Sequence, residues 1–415
     1  MTLSEELQWR GFVNQTTFAN IQELDAKKWT FYHGFDASAD SQTVGNLAAM
    51  MFDKVFLRHG HTAIVLAGGA TSLLGDPGGK DSERPLQDAE TIAHNVACAE
   101  VQLKKIYQDH EFTLVNNLDW YKEMNLLTFM RDIGKHFSMT PLVQRDYIAK
   151  RMGEGGAGIS YTEFSYTLLQ GYDFLHLHKE YGVNLQLAGA DQWGNSISGV
   201  DLIRRVTGDE THIMTLPLVI NKATGKKFGK SEEGAVWLDA AKTTPTQFYQ
   251  FWINSDDQGV EGYLKIFTEL DKPEVDAIMA KHIENPRERF AQTRLAQEVT
   301  KIVHGQQETE IAEVVTAYLT AKTTLQDASE DALAALRKEI GHALASPGDA
   351  IVDLLEATGL ANSKSEARRL LAGNAIVVNG QKTTKETLEE ADFQNGRLLI
   401  RKGKAFKDSA LIEQK

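Results

Sequence analysis

The sequence of 415 residues predicts an α/β chain: a doubly wound parallel sheet, then an α-helical domain, then a small α+β domain. Three observations carry this expectation. Strand and helix signals alternate through residues 1–220. Residues 245–325 show helical periodicity and few strand signals. Residues 348–415 have a separate pattern of two short helices and a hairpin.

The elements follow in order. WTFYHGFD (29–36) is rich in aromatic residues and predicts a strand. Residues 43–58 carry Val44, Leu47, Ala48, Met51 and Val55 at helical spacing, closed by Gly60. AIVLAGG (63–69) is a buried apolar run ending in glycines, hence the next strand. Strand–helix–strand implies parallel strands and a right-handed crossover. A long helix over 89–109, a strand at FTLVNN, a helix over 162–181 and strands at NLQLAG and THIMTLPLVI complete a Rossmann-like sheet. Such sheets bind ligands at the carboxyl ends of their strands.

Residues 221–244 predict a linker, and its Lys-, Gly- and Ser-rich part, NKATGKKFGKSEEGA (221–235), predicts a mobile loop. Residues 326–347 are Ala-rich and charged, ending in Ser346-Pro347-Gly348, and predict a second link. Beyond it come helices near 349–357 and 363–371, a stop at Gly373, and Asn379-Gly380 as a hairpin turn.

Hydrophobic residues make up 42% and charged residues 24%, as in soluble globular proteins. No apolar run approaches the ~20 residues of a membrane span, and the N-terminus has no secretory layout. Cys98 is the single cysteine, so neither an intrachain disulfide nor a cysteine zinc site is expected, and no structural metal. A reducing cytoplasm fits. The net charge is -13, but residues 346–415 hold 11 Lys+Arg against 10 Asp+Glu, a net of +1. RNA contact would rest on local basic patches.

Five motifs carry the chemistry. GFDASADSQTVGN (34–46) joins a strand end to a helix start, where backbone N–H groups and the helix dipole suit phosphate. Ser38, Thr43 and Asn46 can bond phosphate or ribose, and Gly45 leaves room for a ring; taken alone, the pattern fits a capped helix better. KKFGKS (226–231) can reach a triphosphate or be a solvated basic loop. Tyr166, Gln170 and Asp173 fall on one helix face, lining a polar pocket or facing solvent. Gly189, Ala190, Asp191 and Gln192 follow a strand, as do Gly68, Gly69 and the sequence leading to Asp76, whose carboxylate can take an ammonium group.

Together, GFDASADSQTVGN, GGATSLLGDP, TEFSYTLLQGYD, GADQWGN, KFGKS and SKSEARRLLAGNAIVVNG resemble the bacterial tyrosyl-tRNA synthetases over nearly the whole chain. KFGKS is similar to the second signature loop of class I synthetases. The resemblance implies activation of L-tyrosine with ATP, accompanied by magnesium, then transfer to tyrosine tRNA by a homodimer. It implies that Tyr32 and Asp173 bind the phenol, that Asp76, Tyr166 and Gln170 hold the ammonium group, and that Gln192 lies near the carboxylate. Gly34, Asp36, Ser38, Gly45, Gly189 and Asp191 would serve ATP. Lys80 and Arg84 would lie on a mobile loop, and Lys227, Lys230 and Ser231 would engage the pyrophosphate.

One departure stands out. The first signature of the family reads His-Ile-Gly-His or a close relative; here it is Thr43-Val44-Gly45-Asn46, similar to the version in tryptophanyl enzymes. Adenylation needs oriented donors rather than a base, and Thr43 and Asn46 can donate. The C-terminal segment resembles the S-four-type RNA-binding domain, with Lys364, Arg368, Arg369 and Lys382 toward RNA. Two other readings stay open here: an RNA-binding protein that lost the enzyme, supported by the altered signature, and a tryptophan enzyme, opposed by Tyr32 and Asp173.

Overall fold

The computed structural model describes residues 1–74, 87–108, 110–144, 146–156, 158–231, 234–320, 322–403 and 408–415, without the side chains of Pro141, Asp146, Tyr147, Lys230 and Ser231. The chain forms two compact units, residues 1–243 with 255–295, and residues 244–254 with 296–415.

The first unit is built on a six-stranded sheet. Its strands are β1 (Gln15–Thr16), β2 (Thr30–Phe35), β3 (Thr62–Ala67), β4 (Phe112–Asn116), β5 (Leu185–Gly189) and β6 (His212–Leu216), in the order β1-β6-β5-β2-β3-β4. All pairs are parallel except the edge pair of β1 and β6. The strand order reverses between β2 and β5, the switch point at which such sheets bind ligands. The helices are α1 (Leu3–Arg10), α2 (Val44–Arg58), α3 (Gly69–Leu74), α4 (Ala89–Tyr107), four short ones, α5 (Leu118–Tyr121), α6 (Leu126–Asp132), α7 (Met139–Val143) and α8 (Asp146–Met152), then α9 (Tyr161–Tyr181) and α10 (Trp193–Val206).

Side chains alternate across β2, and this sorts the helices. Phe31 meets Phe56 of α2, whereas Tyr32 meets Phe174 of α9. The α9 face holds a core of Tyr32, Ile64, Leu66, Phe164, Leu168 and Phe174. α9 starts on a capping box of Ser160 and Glu163, and the buried Glu163 takes both guanidinium nitrogens of Arg151 at 2.7 and 2.9 Å.

Three segments differ from the expected layout. In residues 221–235, Phe228 is buried, stacking on Tyr263 at 4.2 Å, and Lys230–Ser231 (β7) pairs with Gly234–Ala235 (β8). The Lys and Gly content hid this one aromatic anchor. Helices α11 (Pro245–Ile253), α12 (Val260–Phe267), α13 (Lys272–Glu284), α14 (Phe290–His304) and α15 (Gln306–Leu319) do not form one body. α12 and α13 lie in the first unit, where buried Arg10 donates to the carbonyls of Lys265, Thr268 and Leu270.

The third is residues 326–347, expected as a link. They form α16 (Glu330–Glu339) and β9 (Gly341–Ala345), the edge of a second sheet. Its other strands are β10 (Ile376–Val378), β11 (Gln381–Thr383), β12 (Arg397–Arg401) and β13 (Ser409–Gln414), in the order β11-β10-β12-β13-β9. β9 pairs parallel to β13, so the domain takes its edge strand from before Pro347. Leu333 and Leu336 of α16 pack on Leu399 and Leu411, while Leu398 and Ile412 point to the core under α17 (Ile351–Ala357) and α18 (Lys364–Ala372). Only partners more than 60 residues away in sequence turn this short charged stretch into packed structure, a non-local effect that periodicity does not register. The hairpin falls at Asn379 and Gly380, both at positive φ (46° and 82°), as a two-residue turn requires.

Candidate active site

A cavity of about 270 Å³ opens at the switch point, against the carboxyl ends of β2 and β5. Its wall brings together Tyr32 and Gly34 from β2, Asp36 and Ser38 from the segment after it, Asn46 from α2, Tyr166, Gln170 and Asp173 from α9, Gly189 at the end of β5, and Gln192 beyond it.

One part of the wall carries groups that can bond a hydroxyl. The Tyr32 hydroxyl is buried and has no hydrogen-bond partner. Burial, then the charge of Asp173, holds it protonated far above its usual range. Asp173 is itself buried. It accepts from Asn117 Nδ2 at 3.1 Å and Trp120 Nε1 at 3.0 Å. Burial pushes its pKa up to about 7, against the pull of those donors. A ligand group that both donates and accepts would satisfy this pair; an indole N–H or a bare phenyl ring would not.

Further along α9, Gln170 keeps a buried carbonyl oxygen without a partner. Tyr166 donates to Asp36 at 3.1 Å, so Asp36 stands with the α9 stripe as well as with the strand-to-helix junction. Gly68 permits this: a Cβ there would lie 2.4 Å from Thr71 Oγ1 and 3.0 Å from Asp36 Oδ1.

At the other end the two signature segments meet. Asn46 Oδ1 accepts from the backbone N–H and hydroxyl of Thr43, at 3.0 and 2.7 Å. The Thr43 hydroxyl proton is thereby used within the protein, and the Asn46 amide nitrogen remains to donate. Gly229 of KFGKS sits at φ 93°, and a Cβ on it would lie 3.2 Å from the Gly45 nitrogen. The segment is held there by Val236, whose N–H donates to Gly229 and whose carbonyl accepts from Val44. A Cβ at Gly189 would fall 2.6 Å from Asp191 Oδ1, so a side chain there would have to move the exposed Asp191 carboxylate.

Not every expected residue lines the cavity. Lys227 is exposed, and of Lys230 and Ser231 only the backbone is described. Asp76, Lys80 and Arg84 lie outside the described residues. Lys364, Arg368, Arg369 and Lys382 are exposed on the second unit; Lys364 pairs with Asp353 at 2.8 Å.

Sequence reasoning missed Asn117, Trp120 and His33. Asn117 also accepts from the Ala70 N–H at 2.7 Å and donates to Thr71, tying β4 to α3 beneath Asp173. Its signal was its position at the carboxyl end of a parallel strand.

Comparisons with known proteins fit this geometry. Residues 24–320 match the family described as tRNA synthetases class I (W and Y), and residues 334–407 match the Tyrosine–tRNA ligase SYY-like C-terminal domain. The fold is that of a class I aminoacyl-tRNA synthetase. The chain is 42% identical over 409 residues to the Tyrosine–tRNA ligase of Latilactobacillus sakei subsp. sakei (strain 23K), covering 96% of each. It is 41% identical over 422 residues to that of Bacteroides fragilis (strain YCH46), covering 97% of this chain and 98% of the relative. A C-terminally truncated mitochondrial tyrosyl-tRNA synthetase from Aspergillus nidulans superposes with a TM-score of 0.69 at 30% identity, over 77% of this chain and 94% of that one. The chain belongs to the tyrosine–tRNA ligases, ATP-dependent enzymes of that class.

Proposed function

We propose a division of labour for the tyrosine–tRNA ligase reaction in this chain. The observation that carries it is the unpartnered Tyr32 hydroxyl beside buried Asp173. Together they take the substrate phenol, Tyr32 and Asp173 exchanging donor and acceptor roles with it. Tyr166, Gln170 and Asp76 hold the ammonium group, and Gln192 the carboxylate side. That carboxylate attacks the α-phosphate of ATP in line, pyrophosphate leaves, and a terminal ribose hydroxyl of tyrosine tRNA then attacks the acyl carbon. No protein nucleophile is needed, because positioning and charge stabilisation lower the barrier.

Gly34, Asp36, Ser38, Gly45, Gly189 and Asp191 surround the nucleotide. Asn46, positioned by Thr43, donates to it, and Lys227, Lys230 and Ser231, with Lys80 and Arg84, stabilise the departing pyrophosphate. Among the described residues no three of His, Cys, Asp or Glu cluster to hold an ion. A magnesium ion arriving with ATP would shield its phosphate charge. Lys364, Arg368, Arg369 and Lys382 contact tRNA phosphates. Exposed Leu126, Leu127, Met130, Met139, Met152 and Tyr161 favour a homodimer formed over this segment. No helix among the described residues is long and apolar enough to cross a membrane, and the proposed compartment is the cytoplasm.

The test is ATP–pyrophosphate exchange with tyrosine, phenylalanine and tryptophan in turn. Exchange driven by tyrosine alone is expected. Exchange with phenylalanine at a comparable rate would remove the pocket assignment.

A further inference from the structure

Phe228, the residue before Gly229 in KFGKS, lies outside the cavity wall and is buried against α12. Its ring stacks on Tyr263 at 4.2 Å and lies 5.8 Å from Phe267. Tyr263 is buried as well. Its hydroxyl donates to Asp256 at 2.7 Å, with the Ile220 carbonyl at 3.3 Å. Ile220 pairs with Lys227 across a tight antiparallel turn, in which Phe228 N–H donates to Val219 and Asn221 N–H to Lys226. Tyr263 therefore holds both limbs of the turn that leads into KFGKS, one by its ring and one by its hydroxyl. Gly259 leaves room for this: a Cβ there would lie 2.4 Å from that hydroxyl.

α12 is fastened in turn to the helix that begins at the first signature. Lys54 on α2 is buried, and its ammonium donates to Glu269, two residues beyond α12, at 3.0 Å. A buried cation strongly resists losing its partner, so this pair resists sliding of α12 along α2. Arg10 adds its bonds to the carbonyls of Lys265 and Thr268. Two paths thus join the signatures. One is the backbone pairing of Val44, Val236 and Gly229. The other runs through α2, Lys54, Glu269, α12 and Tyr263 to Phe228. Backbone bonds at one point leave a segment free to pivot, and the ring pair supplies the second point. Displacement of a charge-stabilising group by about 1 Å can cost a hundredfold in rate.

We propose that Tyr263 is a positioning residue for adenylate formation, fixing the KFGKS segment through Phe228 and Ile220, with Lys54 and Glu269 setting α12 against the first signature helix. This rests on the reading above in which Lys230 stabilises the departing pyrophosphate. Tyr263 is no part of the cavity wall, so its effect on the reaction passes through the lysine segment.

Pyrophosphate exchange by the full-length protein tests this, with Tyr263→Leu, Lys230→Ala and the double variant compared with wild type. Tyr263→Leu should lower kcat about tenfold, the order for one ring pair or one hydrogen bond, with tyrosine KM steady. Tyr263→Phe keeps the ring pair and should recover most of that loss. In the Lys230→Ala background, Tyr263→Leu should cost less than about twofold, because the group it positions has gone. An equal loss in both backgrounds would show a merely structural role and overturn the inference, as would an unchanged kcat in Tyr263→Leu. Should Tyr263→Leu fail to fold, Phe228→Leu removes the same ring pair from the other side and is read in the same way. Wild-type exchange in Lys230→Ala alone would instead sink the underlying reading of the lysine segment.

Discussion

Replacing Tyr32 by phenylalanine should make the protein no less stable and less selective. The hydroxyl is buried among Leu66, Phe174 and Asp173 without a partner in the free protein. Leaving such a group unmade costs roughly 1–3 kcal/mol, less where water reaches it. Tyr32→Phe removes the group, so the free protein should be unchanged or stabilised by up to about 1 kcal/mol. With substrate the sign reverses. Tyrosine loses one neutral hydrogen bond but keeps Asp173, costing about 0.5–1.5 kcal/mol, while phenylalanine no longer strands the Tyr32 hydroxyl. The ratio of kcat/KM for tyrosine over phenylalanine should fall roughly tenfold to a hundredfold. Denaturant unfolding without ligand and exchange kinetics with both amino acids measure the two effects on one preparation. Destabilisation beyond about 1 kcal/mol would mean the hydroxyl is bonded within the protein. An unchanged selectivity ratio would mean that it does not face the substrate.

Asp173 makes a pH prediction. Its ordinary carboxyl value is 3.8 and its folded value about 7, so the folded state binds the extra proton between them. Stability from this group is present at low pH and lost as pH rises toward 7, with a slope of at most ~1.4 kcal/mol per pH unit. Asp173→Asn should remove that slope, so unfolding curves of variant and wild type should diverge in favour of the variant from about pH 4 to about pH 7; parallel curves would contradict the burial argument. Gly229→Ala forces a Cβ into a φ of 93° and to 3.2 Å from the Gly45 nitrogen. Strain of about 1–3 kcal/mol should be relieved by moving the lysine segment, lowering exchange kcat about tenfold with little change in tyrosine KM; an unaltered kcat would show that this close approach is dispensable. Deleting residues 326–415 should spare tyrosine-dependent exchange and abolish most transfer to tRNA. Deleting 346–415 instead leaves β9 without β13 and Leu333 and Leu336 without Leu399 and Leu411, so that product should aggregate more; equal solubility by size-exclusion chromatography would count against the packing described.

Local pattern was enough to determine the alternation of strands and helices, the parallel sheet with its ligand edge, and the one-face stripe of Tyr166, Gln170 and Asp173. A repeat of 3.6 or 2 residues records which side chains share a face, whatever that face meets. What it meets was decided by the tertiary structure. Asp173 owes its raised pKa to burial that no local signal reports, set against the opposing donors Asn117 and Trp120 more than fifty residues upstream. His33, Asp53 and Tyr107 come from a strand and two helices, and they form a triad only because the sheet packs α2 and α4 on one face. Gly229 in KFGKS is ordinary in sequence, but its contact with Gly45 needs a positive φ that its neighbours impose. Residues 326–347 have too short an apolar pattern to stand out, and they become helix and strand because Leu399, Leu411 and β13 supply the surface they lack. Sequence spacing sets faces, and burial and pairing between distant faces set the chemistry.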